Sequence, residues 1–185
     1  MYTSVYFHPT VRVMNRMITK AALASSLDLR DMYLWDDADM AQAMFSCGGD
    51  ASRIMRRLQN RMFYKKAVFL SNEKMTDDLA HLLSEYESPA KRLVLEKEIA
   101  DRAGVETADV CVEMPPSSDL RSTMKIGKTD VSIVNEEGRV RSLVKTSSIA
   151  KALQSRDSFG WSLAVACPEE SREAVQKAAV KVLGL

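Results

Sequence analysis

The chain has 185 residues, enough for one domain or two small ones and for a real buried core. A hydrophobic share of 46%, a charged share of 28% and a net charge of +1 fit an ordinary soluble globular protein, and exclude a global pull toward nucleic acid or a membrane surface. No apolar run approaches the ~20 residues needed to cross a bilayer, and the N-terminus lacks a signal-peptide pattern.

Cys47, Cys111 and Cys167 are odd in number and far apart, so neither a disulfide framework nor a zinc knuckle is indicated. They read as reduced thiols of a cytoplasmic protein. The two histidines, His8 and His81, are too few for a multi-histidine metal site. His81 lies in a polar helical stretch without a second ligand at metal spacing and reads as a surface residue. The seven glycines form no phosphate-binding loop or dinucleotide fingerprint, and no Ser-His-Asp arrangement is legible.

In chain order, "VYFHPT" (5–10) comes first, with two open readings. It is either an aromatic cluster stapling a helix start, or a pocket lining in which Tyr6 stacks on a ribose and neutral His8 offers a donor and an acceptor. From Pro9, which suits a first helical turn, Val11, Met14, Ile18, Ala21 and Ala22 recur at helical spacing. "SSLDLRDMYLW" predicts a short second helix capped at Ser26 or Asp28. "DDADMAQAMFSCGG" predicts another, capped by Asp36 or Asp37 and stopped at Gly48–Gly49. Asp50 then caps a helix over "ASRIMRRLQNRMFYKK", with Ile54, Leu58 and Met62 as its buried face.

After Lys66 the pattern changes. "AVFLS" reads as a strand, "TDDLAHLLSEYES" as a helix capped by Thr76, and "AKRLVLEKEIADRAG" as a helix running from the Ser88–Pro89 break to Gly104. "ADVCVEMP" is a strand ended by Pro115–Pro116, with 115–118 as a mobile loop. "KTDVSIVNEEG" is a strand and turn that continues through "RVRSLV". "SSIAKALQS" is a capped helix, "WSLAVACP" a strand and "EESREAVQKAAVKVLG" a last helix. The fold class is α+β: a helical segment over 1–66 (a bundle fragment), then a ferredoxin-like split βαββαβ domain over 67–185 with a C-terminal helix.

The most distinctive chemistry lies in the basic run. Arg53, Arg57, Arg61 and Lys65 are spaced by four, with Arg56 and Lys66 beside them, and form a slowly rotating stripe on one helix. Such a stripe grips phosphates, or it is a solvated face paired with acids such as "WDDAD". Asp36, Asp37 and Asp39 in that stretch read as helix caps rather than cation ligands. "IGKTD" lacks the upstream glycine and following helix of a phosphate-binding loop.

Taken together, "VYFHPTVRVMNRMITKAAL", "LDLRDMYLWDDADMAQAM" and "IMRRLQNRMFYKKAV" resemble the C-terminal half of HD-domain phosphohydrolases of the dGTPase-like kind. The likeness is best over about Val5–Leu70 and looser beyond it. It implies that Tyr6 faces a substrate sugar, and that His8, Arg61 and Lys65 contact a regulatory nucleotide, the last two holding its phosphates between subunits. Arg57 joins them as a candidate phosphate contact of the stripe. Two departures stand out: Phe7 replaces a polar substrate-contacting residue, and Pro9 replaces a phosphate-binding lysine. The H…HD…D metal set of that family is missing, since no His-Asp dipeptide occurs. The resemblance therefore implies part of a longer enzyme, with no catalytic or metal-binding residue of its own and a divalent metal in the missing HD domain. Its expected partners are that HD domain, a nucleotide or phosphate ligand and further copies of itself, with no membrane and no nucleic acid. A free-standing binding or assembly module is the alternative.

Overall fold

The computed structural model describes residues 8–28, 30–71, 74, 76–114, 131–134, 138–154 and 161–185. Helix punctuation follows the residues closely. Helix α1, Pro9–Ala24, opens with proline, and the His8 side chain accepts a hydrogen bond from the Thr10 amide. A single 3-10 turn, Asp31–Leu34, stands where "SSLDLRDMYLW" predicts a helix. Helix α2, Asp37–Ser46, starts with a reciprocal capping box between Asp36 and Asp39. The expected cap reading of these aspartates therefore describes what they do.

Helix α3 spans Gly49–Gln59, shorter at its C-terminal end than the sequence predicts. Its cap position is Gly48, so Asp50 falls within the first turn rather than ahead of it. Strand β1, Lys65–Ser71, begins two residues before the predicted "AVFLS". Helix α4, Asp77–Glu85, is capped by Thr76, and α5, Pro89–Ala103, is capped by Ser88 and ended by left-handed Gly104. Strand β2, Cys111–Glu113, follows a 3-10 turn at Thr107–Asp109. Strands β3, Ser132–Val134, and β4, Val140–Ser142, form a hairpin. The predicted continuation through "RVRSLV" stops at Ser142, where Leu143–Thr146 turns helical as α6. Helix α7, Ser148–Gln154, strand β5, Trp161–Cys167, and helix α8, Arg172–Leu183, complete the chain. The predicted loop at 115–118 lies outside the described residues.

The α+β class holds. Within it the strands divide into a three-stranded sheet ordered β1–β5–β2, antiparallel throughout, and the separate β3–β4 hairpin. A ferredoxin-like sheet would join four strands. Here β3 and β4 pair only with each other among the described residues, and Val134 and Val140 lie exposed. The central position goes to β5, whose residues from Leu163 to Cys167 are all fully buried, as a strand covered on both faces must be.

Two cores follow from the alternation of side chains across this sheet. On one face Leu163, Val165, Cys167, Val112 and Met114 pack against Leu83, Leu95, Ile99, Val175 and Ala179 of α4, α5 and α8. On the other, Cys111 and Ala166 meet Val13, Met17, Ala21, Met44 and Ile54 of α1, α2 and α3. The sheet is thus a middle layer with helices on both sides. Each fully buried Leu, Ile, Val or Met contributes roughly 1.5–3 kcal/mol.

Burial also decides cysteine chemistry. Cys111 and Cys167 are buried, and loss of solvation pushes both thiols up to about 12, so they stay neutral at physiological pH. Cys47 is exposed. A thiol-alkylating reagent at neutral pH is therefore expected to label Cys47 alone until the chain unfolds. Labelling of Cys111 as fast as Cys47 in the native protein would contradict the layered core.

Candidate functional site

The predicted stripe is broken by the end of α3. Asn60 closes the helix, the Arg61 amide donates to the Leu58 carbonyl (3.1 Å), and the Met62 amide donates to the Arg57 carbonyl (2.8 Å). This end pattern requires a left-handed residue, normally glycine. Gly104 fills the same position after α5, with Val105 donating to Ala100 (3.1 Å), and Gly184 does so after α8, with Leu185 donating to Val180 (3.1 Å). After α3 the position is held by Arg61, at φ 57°, alone among the described non-glycine residues in having positive φ. A side chain in this conformation costs on the order of 1 kcal/mol relative to glycine. Met62, predicted to be buried, is exposed because the helix ends before reaching it, and Leu58 is half-buried; Ile54 is fully buried as expected.

The basic residues fall into two groups. Arg53 bonds Asp50 (2.8 Å) and Asp109; burial works against its charge, but these two carboxylates outweigh it and raise its pKa. Arg57 pairs with Glu170 and lies 6.0 Å from the centroid of the Tyr64 ring. The Glu170 carboxyl is drawn below its usual range by its own backbone amide and by Arg57. Tyr64 is itself buried, donating to Ala108 O (3.1 Å) and Asp109 (3.2 Å), and burial raises its pKa. By contrast, Arg56, Arg61 and Lys65 are exposed and have no ion-pair partner among the described residues. Lys66 lies over the Phe69 ring at 4.7 Å. A groove of about 560 Å³ follows α3, lined by Gly48, Gly49, Ser52, Arg53, Arg56, Arg57, Asn60 and Met62. The acids of "WDDAD" form no ion pair with this stripe; they are spent on the α2 cap.

Arg61 and Lys65 bracket the short segment from α3 to β1, so both lie at one edge of the fold. His8 lies elsewhere. The Tyr64 amide, next to Lys65, meets Met17 Sδ at 3.5 Å, and His8 precedes Met17 by nine residues, about 13 Å of helix. Among the described residues, the side-chain hydrogen bond of His8 is the one it accepts from the Thr10 amide, at the start of α1. Tyr6 lies outside the described residues.

A second set of charges went unrecognised in the sequence. Arg12, Arg16 and Lys20 also recur at every fourth residue, the same signal as the α3 stripe, yet Arg16 and Lys20 are buried. The predicted apolar face of α1 is correspondingly turned: Ala21 is fully buried as expected and Val13 and Met17 join it, while Val11, Met14, Ile18 and Ala22 are half-buried. The cause is Glu96 of α5, 0% exposed. Its Oε1 accepts from Arg16 Nη2 (3.0 Å), Arg16 Nε (3.2 Å) and the Val112 amide (2.9 Å); its Oε2 accepts from Lys20 Nζ (2.9 Å). Lys20 also donates to the carbonyls of Thr107 (2.7 Å) and Val110. Farther out, Glu113 meets Arg12, and Arg92 Nη1 at 3.7 Å.

Among the described residues no group of three or more His, Cys, Asp or Glu side chains is placed so that it could hold a metal ion. None of their helices is long and apolar enough to cross a membrane.

Removing one partner of a buried ion pair leaves a stranded charge, at roughly 3–5 kcal/mol. Glu96→Gln is expected to lower unfolding free energy by about that much in urea, while Glu98→Gln, which breaks an exposed pair with Arg102, costs less than ~1 kcal/mol. Equal small losses for the two variants would overturn the structural role assigned to Glu96.

Comparison with known proteins adds two findings. A family model described as "HD associated region" matches residues 1–185. An uncharacterized protein of Methanocaldococcus jannaschii is 24% identical over 185 residues, covering 98% of this chain and 38% of the relative. The chain thus spans less than half the length of that relative.

Proposed function

The chain belongs to the family of HD associated regions, and from that premise we propose that it serves a metal-dependent nucleotide phosphohydrolase. In this reading it is the accessory part, and Arg61 and Lys65 hold the phosphates of a deoxynucleoside triphosphate. Family membership supports an accessory role to an HD-domain protein; the nucleotide and the residue roles are our reading. The observation that carries it is Arg61. An arginine occupies the helix-terminal position that Gly104 and Gly184 fill elsewhere in the same chain, at a conformational cost. Such a cost is sustained where the side chain has work that glycine cannot do. Among the described residues Arg61, Lys65 and Arg56 have no carboxylate partner, whereas Arg53 and Arg57 are engaged by Asp50, Asp109 and Glu170.

The chemistry suits phosphate. A guanidinium fork and an ammonium neutralise oxyanions without titrating near neutral pH, and a triphosphate offers several oxygens to both. In this reading, as the family resemblance implies, a nucleotide that touches both His8 and the basic pair does so between copies of the chain. Tyr6 would then face the sugar in the HD domain's pocket. Water activation belongs to the HD domain, and no step of it is routed through this chain.

Arg61→Gly separates function from fold. It is expected to leave stability unchanged or raise it by up to about 1 kcal/mol. With Lys65→Ala, it should also abolish the rise in melting temperature that deoxynucleoside triphosphates give the parent chain. An undiminished nucleotide shift in the double variant would contradict the proposal. The chain alone, supplied with divalent metal, is expected to release no phosphate from nucleotides in a colorimetric assay; sustained turnover by pure material would refute the accessory reading.

A further inference from the structure

The groove along α3 holds donors that the Arg61–Lys65 pair does not use. Helix α3 opens on Gly48, and no side chain caps it. The Ser52 amide donates to the Gly48 carbonyl (3.1 Å), so the Gly49 and Asp50 amides precede the first bond of the helix and have no acceptor within it. Gly48 and Gly49 both line the groove, and a Cβ added to either would meet nothing within 4 Å. Backbone donors thus stand at an open end of a cavity of about 560 Å³.

A bare helix end is not yet a site, and Ser52 supplies what it lacks. Ser52 is 6% exposed and lines the same groove. A helical serine commonly returns its hydroxyl to a carbonyl one turn back, as Ser46 does to Gln42 (2.9 Å). The Ser52 hydroxyl makes no hydrogen bond among the described residues. Nor is it sealed from water in the way Arg12 Nε and Arg92 Nε are. Side chains on a helix lean toward its N-terminus. Ser52 therefore leans toward Gly48 and Gly49, and Arg56, one turn on, leans toward Ser52. Arg56 is exposed and has no carboxylate partner among the described residues. No acid lines the groove among those residues: Asp50 is held by Arg53, and Glu170 meets Arg57, without either carboxylate joining its walls.

We infer that the Gly48–Gly49 turn, Ser52 and Arg56 form a site for a phosphoryl group, separate from the Arg61–Lys65 pair. A tetrahedral oxyanion accepts donors from several directions, which suits an amide, a hydroxyl and a guanidinium fork converging on one point. A planar carboxylate accepts them in one plane and leaves part of this set unused. The helix dipole adds attraction at the same end. Beyond Arg56 the groove continues past Asn60 to the exposed Met62, which gives room for the organic part of a phosphate ester.

The test follows the Gly49 and Ser52 backbone amides of the whole chain by NMR during titration with inorganic phosphate or, at matched ionic strength, acetate. Phosphate is expected to shift both amides saturably, and acetate to shift neither. Arg56→Gln should weaken phosphate binding about tenfold and Ser52→Ala about fivefold. The melting temperature of Ser52→Ala should stay the same or rise, because no internal bond goes with the hydroxyl. Arg61→Gly with Lys65→Ala should leave the titration unchanged. A deoxynucleoside monophosphate then separates the sources. Additional shifts of the Asn60 side-chain amide and the Met62 methyl support an organic phosphate along α3, whereas shifts confined to Gly49, Ser52 and Arg56 support free phosphate. Binding undiminished in Arg56→Gln, a surface change that keeps the fold, overturns the proposal. So does an equal response to acetate, the absence of any phosphate shift at Gly49 and Ser52, or a marked fall in the melting temperature of Ser52→Ala, which would assign the hydroxyl to the fold instead.

Discussion

The fold turns on one carboxylate. Glu96 sits wholly inside the protein and ties three elements together, receiving Arg16 and Lys20 from α1 and a backbone amide from β2 while itself belonging to α5. Buried ion pairs are expensive to assemble, and many could be replaced by apolar side chains with little loss. What this one supplies is direction. With both α1 cations held inward, the helix can present only the Val13–Met17–Ala21 side to the sheet. That face sets where Tyr64 settles, its amide on Met17 and its hydroxyl on Asp109. Tyr64 in turn immediately precedes β1, so the Glu96 seam also determines where Lys65 and Arg61 emerge.

The same economy governs the cations as a whole. Arg16, Lys20, Arg53 and Arg57 each have a carboxylate within the fold, some buried and some at its edge. Arg56, Arg61 and Lys65 have none among the described residues. Net charge near neutrality hides this division. A protein can carry almost no overall charge and still concentrate unpaired positive charge at one edge, because the acids that balance it lie elsewhere on caps and exposed helices.

Much of this was legible in the residues. Pro9, Asp36, Thr76, Ser88 and Gly104 mark helix ends through local hydrogen bonding and backbone geometry, which depend on neighbours in sequence. The strands were readable too, but not their neighbours, since alternation shows which residues share a face and not which strand lies beside which. Two features defeated hydropathy. Arg16 and Lys20 count as polar, so apolar spacing finds Ala21 but not Val13 or Met17 on the buried face of α1; their partner Glu96 is 76 residues or more away in sequence. The end of α3 carries no glycine or proline, and apolar spacing runs on through Met62, so nothing local announced that the helix stops before Arg61. Tyr6 and His8 were singled out by composition and resemblance. His8 turns out to be a helix cap, a role its position before Pro9 suits.

In the proposed function the fold consumes some of its cations and leaves others for phosphate. A crystal structure of the chain joined to its HD domain, with a deoxynucleoside triphosphate bound, tests it most directly. Phosphate oxygens are expected on Arg61 and Lys65, with Arg57 still on Glu170 and Arg53 still on Asp50 and Asp109. Phosphates held by Arg53 and Arg57 after release of those carboxylates, with Arg61 and Lys65 left in solvent, would contradict it.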